Sequence, residues 1–280
     1  MKKIALVTDS TADLTEEMKN EYNVHVIPLR VRFSDREYLD GELTGNEFYK
    51  LLATAGELPK TSQPSPQEFK GLYQKLLSDY DEVISIHLSS GLSGTVNAAR
   101  LGEKEFESRV HVVDSKCISL GTALLVIETG RLIKEGLKCT EILGQMETVR
   151  NRIETLFTVN TLEYLEKGGR IGKVNKLVGS LLKIKPIVRV GDDGIYHSHG
   201  LARSQNKALQ HINKSFQNLA KGRKARRLAV AHGAAEEAGL FLKGLMEETF
   251  HLPTTIFTQV GPVIGVHTGP GTIGAAILFE

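Results

Sequence analysis

The sequence has no tryptophan, few aromatic residues and almost no net charge, and these shortages exclude one class of partner. Aromatic residues make up 6% of its 280 residues, and the formal net charge is only +2. Proteins that bind single-stranded nucleic acids combine a basic groove with aromatic surfaces on which bases stack. The sequence therefore predicts no nucleic-acid partner.

Cysteine and long apolar runs are equally scarce. The two cysteines, Cys117 and Cys139, are too few for the disulfide framework of a small secreted protein. The first residues reach Asp9 before an apolar signal-peptide core could form, and no apolar run approaches the roughly 18 residues that span a bilayer. We therefore expect a cytoplasmic protein with reduced thiols and no transmembrane segment.

Familiar catalytic and cofactor motifs are incomplete. Residues 91–95 nearly match the nucleophile elbow of α/β-hydrolases but end in Thr95 where that motif has glycine. Residues 269–274 spell a dinucleotide fingerprint, but no helix, second strand or ribose-binding acid follows them. His197 and His199 share a strand face without a third metal ligand at a diagnostic spacing. We expect neither a metal nor an organic cofactor.

The first half of the chain alternates strand and helix patterns. The strand-like runs are Ile4–Asp9, Val24–Phe33, Val83–Ser89 and Val110–Asp114. The helical patterns are Thr15–Glu21, Asn46–Ala55, Pro66–Ser78, Thr95–Phe106, Ile118–Glu135 and Thr140–Arg152. Such alternation predicts an α/β lobe with a mostly parallel sheet and helices on both faces.

The pattern changes near Ile153. A hairpin is predicted over residues 184–199, followed by helices at 204–220 and 236–250 and by strands near 228–231, 255–260 and 275–279. These elements predict a second α/β lobe with a mixed or antiparallel sheet. A chain of 280 residues with 41% hydrophobic content is long enough for two lobes. We place them at 1–153 and 154–280, with a ligand cleft between them.

The most informative segment covers residues 83–95. An apolar strand pattern there runs into a loop of serines and glycines and then into a helix. A helix N-terminus presents unpaired backbone N–H groups and the positive end of the helix dipole, so it suits an anion. The segment predicts a site for an acidic group.

Two other segments allow two interpretations each. Residues 61–66 either begin a helix, with Pro66 in its first turn, or supply hydroxyl groups to the wall of a site. Residues 261–272 contain too much glycine and proline for an ordinary strand. They either shape the backbone around a ligand beside His267 or form a tight turn with a solvated imidazole.

Together these segments resemble the DegV family over essentially the whole chain. The resemblance rests on residues 8–10, 13–14, 61–65, 89–95, 113–115 and 264–271. It implies a two-lobed α/β protein that is not an enzyme, binds a long-chain, palmitate-like fatty acid in its cleft and presents it to a separate bacterial fatty acid kinase. The family's carboxylate-binding residues correspond here to Thr61, Ser93, His267 and Thr268.

An enzymatic alternative stays open at this point. An acyl- or phosphoryl-transfer enzyme could use Ser93 as nucleophile and His267 as base. The sequence shows no acidic residue that would orient His267 and no nucleotide-binding motif.

A basic amphipathic run follows residue 166. Seven basic and no acidic residues occur from Lys167 to Arg189, partly interleaved with apolar residues at helical spacing. Such segments bind anionic membranes or acidic partners. We expect Arg170–Lys183 to form a mobile cover over the acyl chain that touches a membrane or the kinase, or else a surface helix that seals the second lobe. The residues predicted for this contact are Arg170, Lys173, Lys176 and Arg203.

Overall fold

A computed structural model of the chain describes residues 2–106, 108–177 and 184–280. No helix within this described part is long and apolar enough to cross a membrane. The elements up to residue 150 are β1 (Ile4–Asp9), α1 (Glu16–Glu21), β2 (Val24–Ile27), β3 (Arg30–Arg32), β4 (Glu37–Leu39), α2 (Gly45–Thr54), β5 (Lys60–Ser62), α3 (Pro66–Leu76), β6 (Glu82–His87), α4 (Thr95–Glu103), β7 (Val110–Asp114), α5 (Leu120–Lys134) and α6 (Cys139–Arg150).

Strands β2, β1, β6 and β7 form a parallel sheet in that order. Successive side chains of a strand face opposite sides, so β1 buries apolar residues on both faces. Val7 packs in the cluster that contains Phe69 of α3 and Ala98 of α4. Leu6 packs on the other face with Leu124 of α5. The predicted parallel α/β lobe is confirmed.

The predicted strand Val24–Phe33 is wrong as a single element. It is interrupted at Pro28, which has no backbone N–H for a sheet ladder. Strand β2 stays in the parallel sheet, whereas β3 lies between β4 and β5 in a separate antiparallel sheet. Strands β4 and β5 have three residues each and were not predicted, since so short a run carries little periodicity.

The second half forms a mixed six-stranded sheet, as predicted. The remaining elements are β8 (Ile153–Thr158), α7 (Glu163–Lys167), β9 (Lys185–Val190), β10 (Tyr196–Ala202), α8 (Gln205–Ala220), β11 (Ala225–His232), α9 (Glu236–Phe250), β12 (Thr254–Gln259), α10 (Pro262–Thr268) and β13 (Ile273–Phe279). The strand order is β10-β9-β8-β13-β11-β12, and only β11 and β12 pair in parallel.

Three elements of this half were missed by the sequence patterns: β8, the short helix α7 and α10. Strand β8 is central, and its Glu154 is buried beside Arg189, so its polar residues do not mark an exposed face. Helix α10 occupies the segment rich in glycine and proline. Pro262 fits its first turn, and a side chain at Gly265 would lie 2.4 Å from Phe48. The glycine therefore allows α10 to approach α2 closely.

Packing crosses the predicted boundary at residue 153. Helix α5 precedes the boundary, yet Leu6 of the parallel sheet and Ala276 of the mixed sheet belong to the same core cluster around it. Helix α10 follows the boundary, yet Val263 and Val266 pack with Phe48 of α2. The two halves therefore share their cores, and the division at residue 153 stays a prediction.

Two buried carboxyl groups hold the start of α10 against the first half of the chain. The Gly261 N–H donates to Asp13 Oδ1 over 2.8 Å, and the Val263 N–H donates to Asp40 Oδ1 over 3.3 Å. Ser119 at the start of α5 donates its hydroxyl to Asp13 Oδ2. Side chains distant in sequence thus bind backbone donors that the first turn of a helix leaves unpaired.

Replacing Asp13 by Asn tests this attachment through its pH dependence. Burial raises the pKa of Asp13 from 3.8 to about 7. The folded state therefore holds this proton more tightly than the unfolded state, so ionisation destabilises the wild type as the pH rises from about 4 to about 7. Asp13→Asn should gain stability relative to the wild type over that range, by at most about 1.4 kcal/mol per pH unit.

Urea unfolding at several pH values measures this difference. Asp40→Asn is the matched comparison, because burial raises the pKa of Asp40 to about 6. The pH range over which this variant gains stability relative to the wild type should therefore end about one pH unit lower. If the free energies of unfolding of the wild type and Asp13→Asn change with pH in parallel, the raised pKa of Asp13 is contradicted.

Candidate functional site

A pocket of about 410 Å³ lies where the loop after β6, strand β5 and helix α10 meet. Its polar residues are Thr61, Ser93, Arg170, His267 and Thr268, and we call it the polar pocket. Its remaining lining residues are apolar or aromatic: Leu29, Leu88, Leu92, Ile118, Tyr196, Val263 and Ile264. The four predicted carboxylate-binding residues are therefore brought together, although they come from three separate parts of the chain.

Thr61 and His267 meet across the pocket. Thr61 lies in β5 opposite Val31 of β3, and His267 lies in the last turn of α10. The Thr61 hydroxyl and His267 Nε2 are 2.8 Å apart and form a hydrogen bond. The two residues are 206 positions apart in the sequence. Their contact therefore depends on the packing of α10 against the antiparallel sheet of β4, β3 and β5. Pro66 nevertheless begins α3, as the other interpretation of residues 61–66 expects.

The imidazole of His267 is uncharged near neutral pH. Burial, reinforced by the positive charge of Arg170, lowers the pKa of His267 from 6.5 to about 4. Its Nδ1 is buried and has no hydrogen-bond partner among the described residues. A side chain at Gly168 would lie 2.3 Å from this nitrogen, so the glycine makes room for the ring. One ring nitrogen can donate a hydrogen bond while the other accepts one.

Ser93 lies in the loop between β6 and α4, at the predicted helix N-terminus. Its hydroxyl is 2.9 Å from the Thr95 hydroxyl and accepts a hydrogen bond from the Thr95 N–H over 3.3 Å. Helix α4 begins at Thr95. The positive end of its dipole therefore lies beside the Ser93 hydroxyl, an arrangement that favours an anion.

Thr268 has a different place from the other three. Its side chain is buried, and its hydroxyl donates to the Ile264 carbonyl of the preceding helical turn over 3.0 Å. The hydroxyl proton is therefore engaged within α10. Thr268 contributes to the wall of the pocket, and its oxygen keeps only acceptor capacity.

Arg170 was predicted to contact a partner, and the structure places it in the wall of the polar pocket. Its Nε donates to the Leu92 carbonyl over 3.2 Å, and its Nη1 donates to the Gly168 carbonyl over 2.8 Å. The side chain is partly buried, with guanidinium N–H groups beyond these two bonds. Sequence reasoning missed this position, because a basic run predicts solvent exposure and the sequence does not show which of its members faces inward.

The other residues predicted for partner contact lie outside the pocket. Lys173 is exposed, and its ammonium lies 2.8 Å from a carboxylate oxygen of Asp193. Arg203 is exposed. The side chain of Lys176 and residues 178–183 lie outside what the structure describes, so the expected cover over Arg170–Lys183 stays a prediction.

The pairing needed for nucleophilic catalysis is absent from the hydrogen bonds of the described residues. His267 Nε2 is bonded to Thr61, while the Ser93 hydroxyl is bonded to Thr95. No carboxylate among these residues accepts a hydrogen bond from His267 Nδ1. A Ser-His relay needs the base bonded to the nucleophile and an acceptor that orients the base. The geometry does not favour the enzymatic alternative.

A second pocket of about 410 Å³ adjoins the first and lies between α5 and the mixed sheet. We call it the apolar pocket. It shares Ile118, Tyr196, Ile264 and Thr268 with the polar pocket. Its other lining residues are Ser119, Leu120, Thr155, Phe157, Ala231, Val260, Thr272, Gly274 and Ala275. Sequence reasoning identified none of these as lining residues, because they lie on α5, β8, β11, β13 and the adjoining loops and look like ordinary core positions.

Thr155 is an exception to the chemistry of the apolar pocket. Its side chain is 7% exposed, and its hydroxyl has no hydrogen-bond partner among the described residues. A buried hydroxyl without a partner costs about 1 to 3 kcal/mol. A Cβ at Gly121 would lie 2.5 Å from this hydroxyl oxygen, so the hydroxyl is enclosed by the protein itself.

Comparison with known proteins gives a consistent result. The family model described as "Uncharacterised protein, DegV family" matches residues 3–280. A DegV domain-containing protein of Clostridium acetobutylicum is 38% identical, and the match covers 100% of both chains.

Solved structures match equally well. A DegV family protein from Thermus thermophilus, described by its fatty acid binding, is 37% identical with a TM-score of 0.93, and the match covers 99% of this chain and 100% of that one. DegV of Bacillus subtilis, described as a fatty acid binding protein, is 33% identical with a TM-score of 0.89 over 100% of both chains. From its sequence and its fold, the chain belongs to the DegV family.

Proposed function

We propose that this protein binds one long-chain fatty acid, with the carboxylate in the polar pocket and the acyl chain in the apolar pocket. The observation that carries the proposal is that the two pockets adjoin each other and share four lining residues. One end offers hydroxyl, imidazole and guanidinium groups, and the other is almost entirely apolar. The relatives from Thermus thermophilus and Bacillus subtilis, both described as binding fatty acids, support this ligand class.

The polar pocket can compensate the loss of water around a carboxylate. Burying an ionised carboxylate is costly unless its oxygens receive hydrogen bonds. Ser93 can donate its hydroxyl proton, and Thr61 can donate its own in the His267 tautomer whose Nε2–H donates to the Thr61 oxygen. Arg170 adds a positive charge in the same wall, so hydrogen bonds from its free N–H groups would be charge-assisted.

The acyl chain would supply most of the affinity. Burying about fourteen methylene groups at about 0.8 kcal/mol each gives an upper value of roughly 11 kcal/mol, from which the costs of association are subtracted. The carboxylate contributes less net free energy but fixes the direction of the chain. Hydrogen-bond donors at only one end make the opposite orientation unfavourable.

We further propose that the protein is a carrier that presents the carboxylate to a separate fatty acid kinase in lipid metabolism. The absence of a Ser93–His267 hydrogen bond in the described residues supports a binding role. Thr61 and Ser93 are only partly buried, so the carboxylate end lies near the surface. A cytoplasmic location and transient contact of Arg170, Lys173, Lys176 and Arg203 with a membrane or the kinase stay predictions.

Removing one hydroxyl from the polar pocket should weaken binding without unfolding the protein. Thr61→Val and Ser93→Ala each delete one donor to a charged oxygen, which is worth about 1.5 to 3 kcal/mol, or roughly 10- to 150-fold in Kd. Competition of unlabelled palmitate against a fluorescent fatty acid measures the change. Mass spectrometry of lipid released from the purified wild type should give one fatty acid per chain.

Ser90→Ala is the matched control for this experiment. Ser90 lies in the same loop as Ser93 but bonds to Asp114 and does not line the pocket. Its removal should leave the Kd unchanged. Equal losses from Ser90→Ala and Ser93→Ala, or a wild type that neither carries nor takes up a fatty acid, would contradict the assignment.

The carrier role predicts that the chain alone has no turnover. Incubation with fatty acid and ATP should give no acyl phosphate, trapped as a hydroxamate, until a fatty acid kinase is added. Turnover by the isolated chain that is lost in Ser93→Ala would overturn the carrier role in favour of the enzymatic alternative.

A further inference from the structure

Three side chains suited to a transition metal converge at the edge of the parallel sheet opposite the pocket. Glu82 is the first residue of β6, His111 is the second residue of β7, and Cys139 is the first residue of α6. One carboxylate oxygen, one imidazole nitrogen and the thiol sulfur all lie within 4.8 Å of one another. None of the three residues lines the polar or the apolar pocket.

The contacts within this cluster leave His111 without a hydrogen bond at Nε2 among the described residues. This nitrogen is buried. It lies 3.7 Å from Glu82 Oε1, which is beyond hydrogen-bond distance. Two light-atom ligands of a tetrahedral zinc ion lie about 3.3 Å apart, since each lies about 2.0 to 2.1 Å from the metal. The 3.7 Å between His111 Nε2 and Glu82 Oε1 is therefore close to the separation of two ligand atoms on one zinc ion.

We propose that Glu82, His111 and Cys139 form a binding site for one zinc-like divalent metal ion. Thiolate, imidazole and carboxylate together favour Zn²⁺ over Mg²⁺ or Ca²⁺, which take oxygen ligands. The Glu82 and His111 side chains are 13% and 23% exposed, so the ion can enter from solvent.

The charges around the site limit its affinity and suggest a test. Burial and the charge of Glu82 raise the pKa of the Cys139 thiol to about 11, so the metal must displace a proton at neutral pH. The Lys2 ammonium lies 3.6 Å from the other carboxylate oxygen of Glu82 and competes with the metal for that group. With the metal bound, the carboxylate and the thiolate together balance its two positive charges.

The position of the site indicates a structural role. Glu82 and His87 are the two ends of β6, about 16 Å apart at the rise of an extended strand, and the polar pocket lies beyond His87. The metal would join the amino ends of two strands to the start of α6. An ion that binds only the folded chain raises its stability, so Zn²⁺ should raise Tm without altering fatty acid affinity.

Titration with Co²⁺, a spectroscopic substitute for Zn²⁺, tests the site directly. The wild type should develop a thiolate-to-cobalt charge-transfer band that saturates at one ion per chain and is abolished by added Zn²⁺. Cys139→Ser should lose the band and keep its fatty acid affinity. Cys117→Ser is the matched control, because Cys117 is the other buried cysteine and lies outside the cluster.

Two further variants complete the test. Lys2→Ala should bind Zn²⁺ more tightly than the wild type, because it removes the competing ammonium. His111→Ala should bind it at least tenfold more weakly, with circular dichroism verifying the fold. The proposal is overturned if the wild type gives no charge-transfer band, if Cys139→Ser keeps it, or if Cys117→Ser loses it.

Discussion

The geometry of the polar pocket depends on how α10 is attached to the first half of the chain. This helix carries His267 and Thr268, yet it follows the mixed sheet in sequence. The buried carboxyl groups of Asp13 and Asp40 accept hydrogen bonds from its first N–H groups, and Gly265 lets it approach Phe48. Without these contacts nothing in the local sequence would bring His267 within hydrogen-bond distance of Thr61.

The same attachment explains the electrostatic character of the site. Packing of α10 buries the His267 ring beside Arg170, and both effects lower the pKa of the imidazole. The pocket therefore combines a neutral imidazole with a positively charged guanidinium. A neutral imidazole and hydroxyl groups can bind a carboxylate by hydrogen bonds, while Arg170 supplies the charge that stabilises its ionised form. The apolar pocket beyond them offers almost no competing donor.

Sequence patterns predicted most helices, strands and loops that depend on neighbouring residues. The side-chain positions that depend on contacts between distant residues could not be predicted in this way. The apolar runs of β1 and β6 and the serine- and glycine-rich loop before α4 were readable from sequence, and the positions of Thr61 and His267 came from family resemblance. Pro28 marks a break within residues 24–33, whose strand-like pattern predicted a single element. Arg170 was assigned to a surface because its inward position depends on the carbonyls of Leu92 and Gly168. The lining of the apolar pocket could not be predicted, since it is assembled from separate elements.

The most direct test of the central claim is the ionisation of the bound carboxyl group, followed by NMR of palmitate labelled with ¹³C at its carboxyl carbon. If the polar pocket holds the carboxylate, the complex gives one bound resonance, and its carboxyl pKa lies below about 4.3, the usual value for a glutamate side chain in water. The Ser93→Ala complex should shift that pKa upwards. A single bound resonance with a raised pKa that Ser93→Ala leaves unchanged would place the carboxyl group among apolar residues and contradict the account.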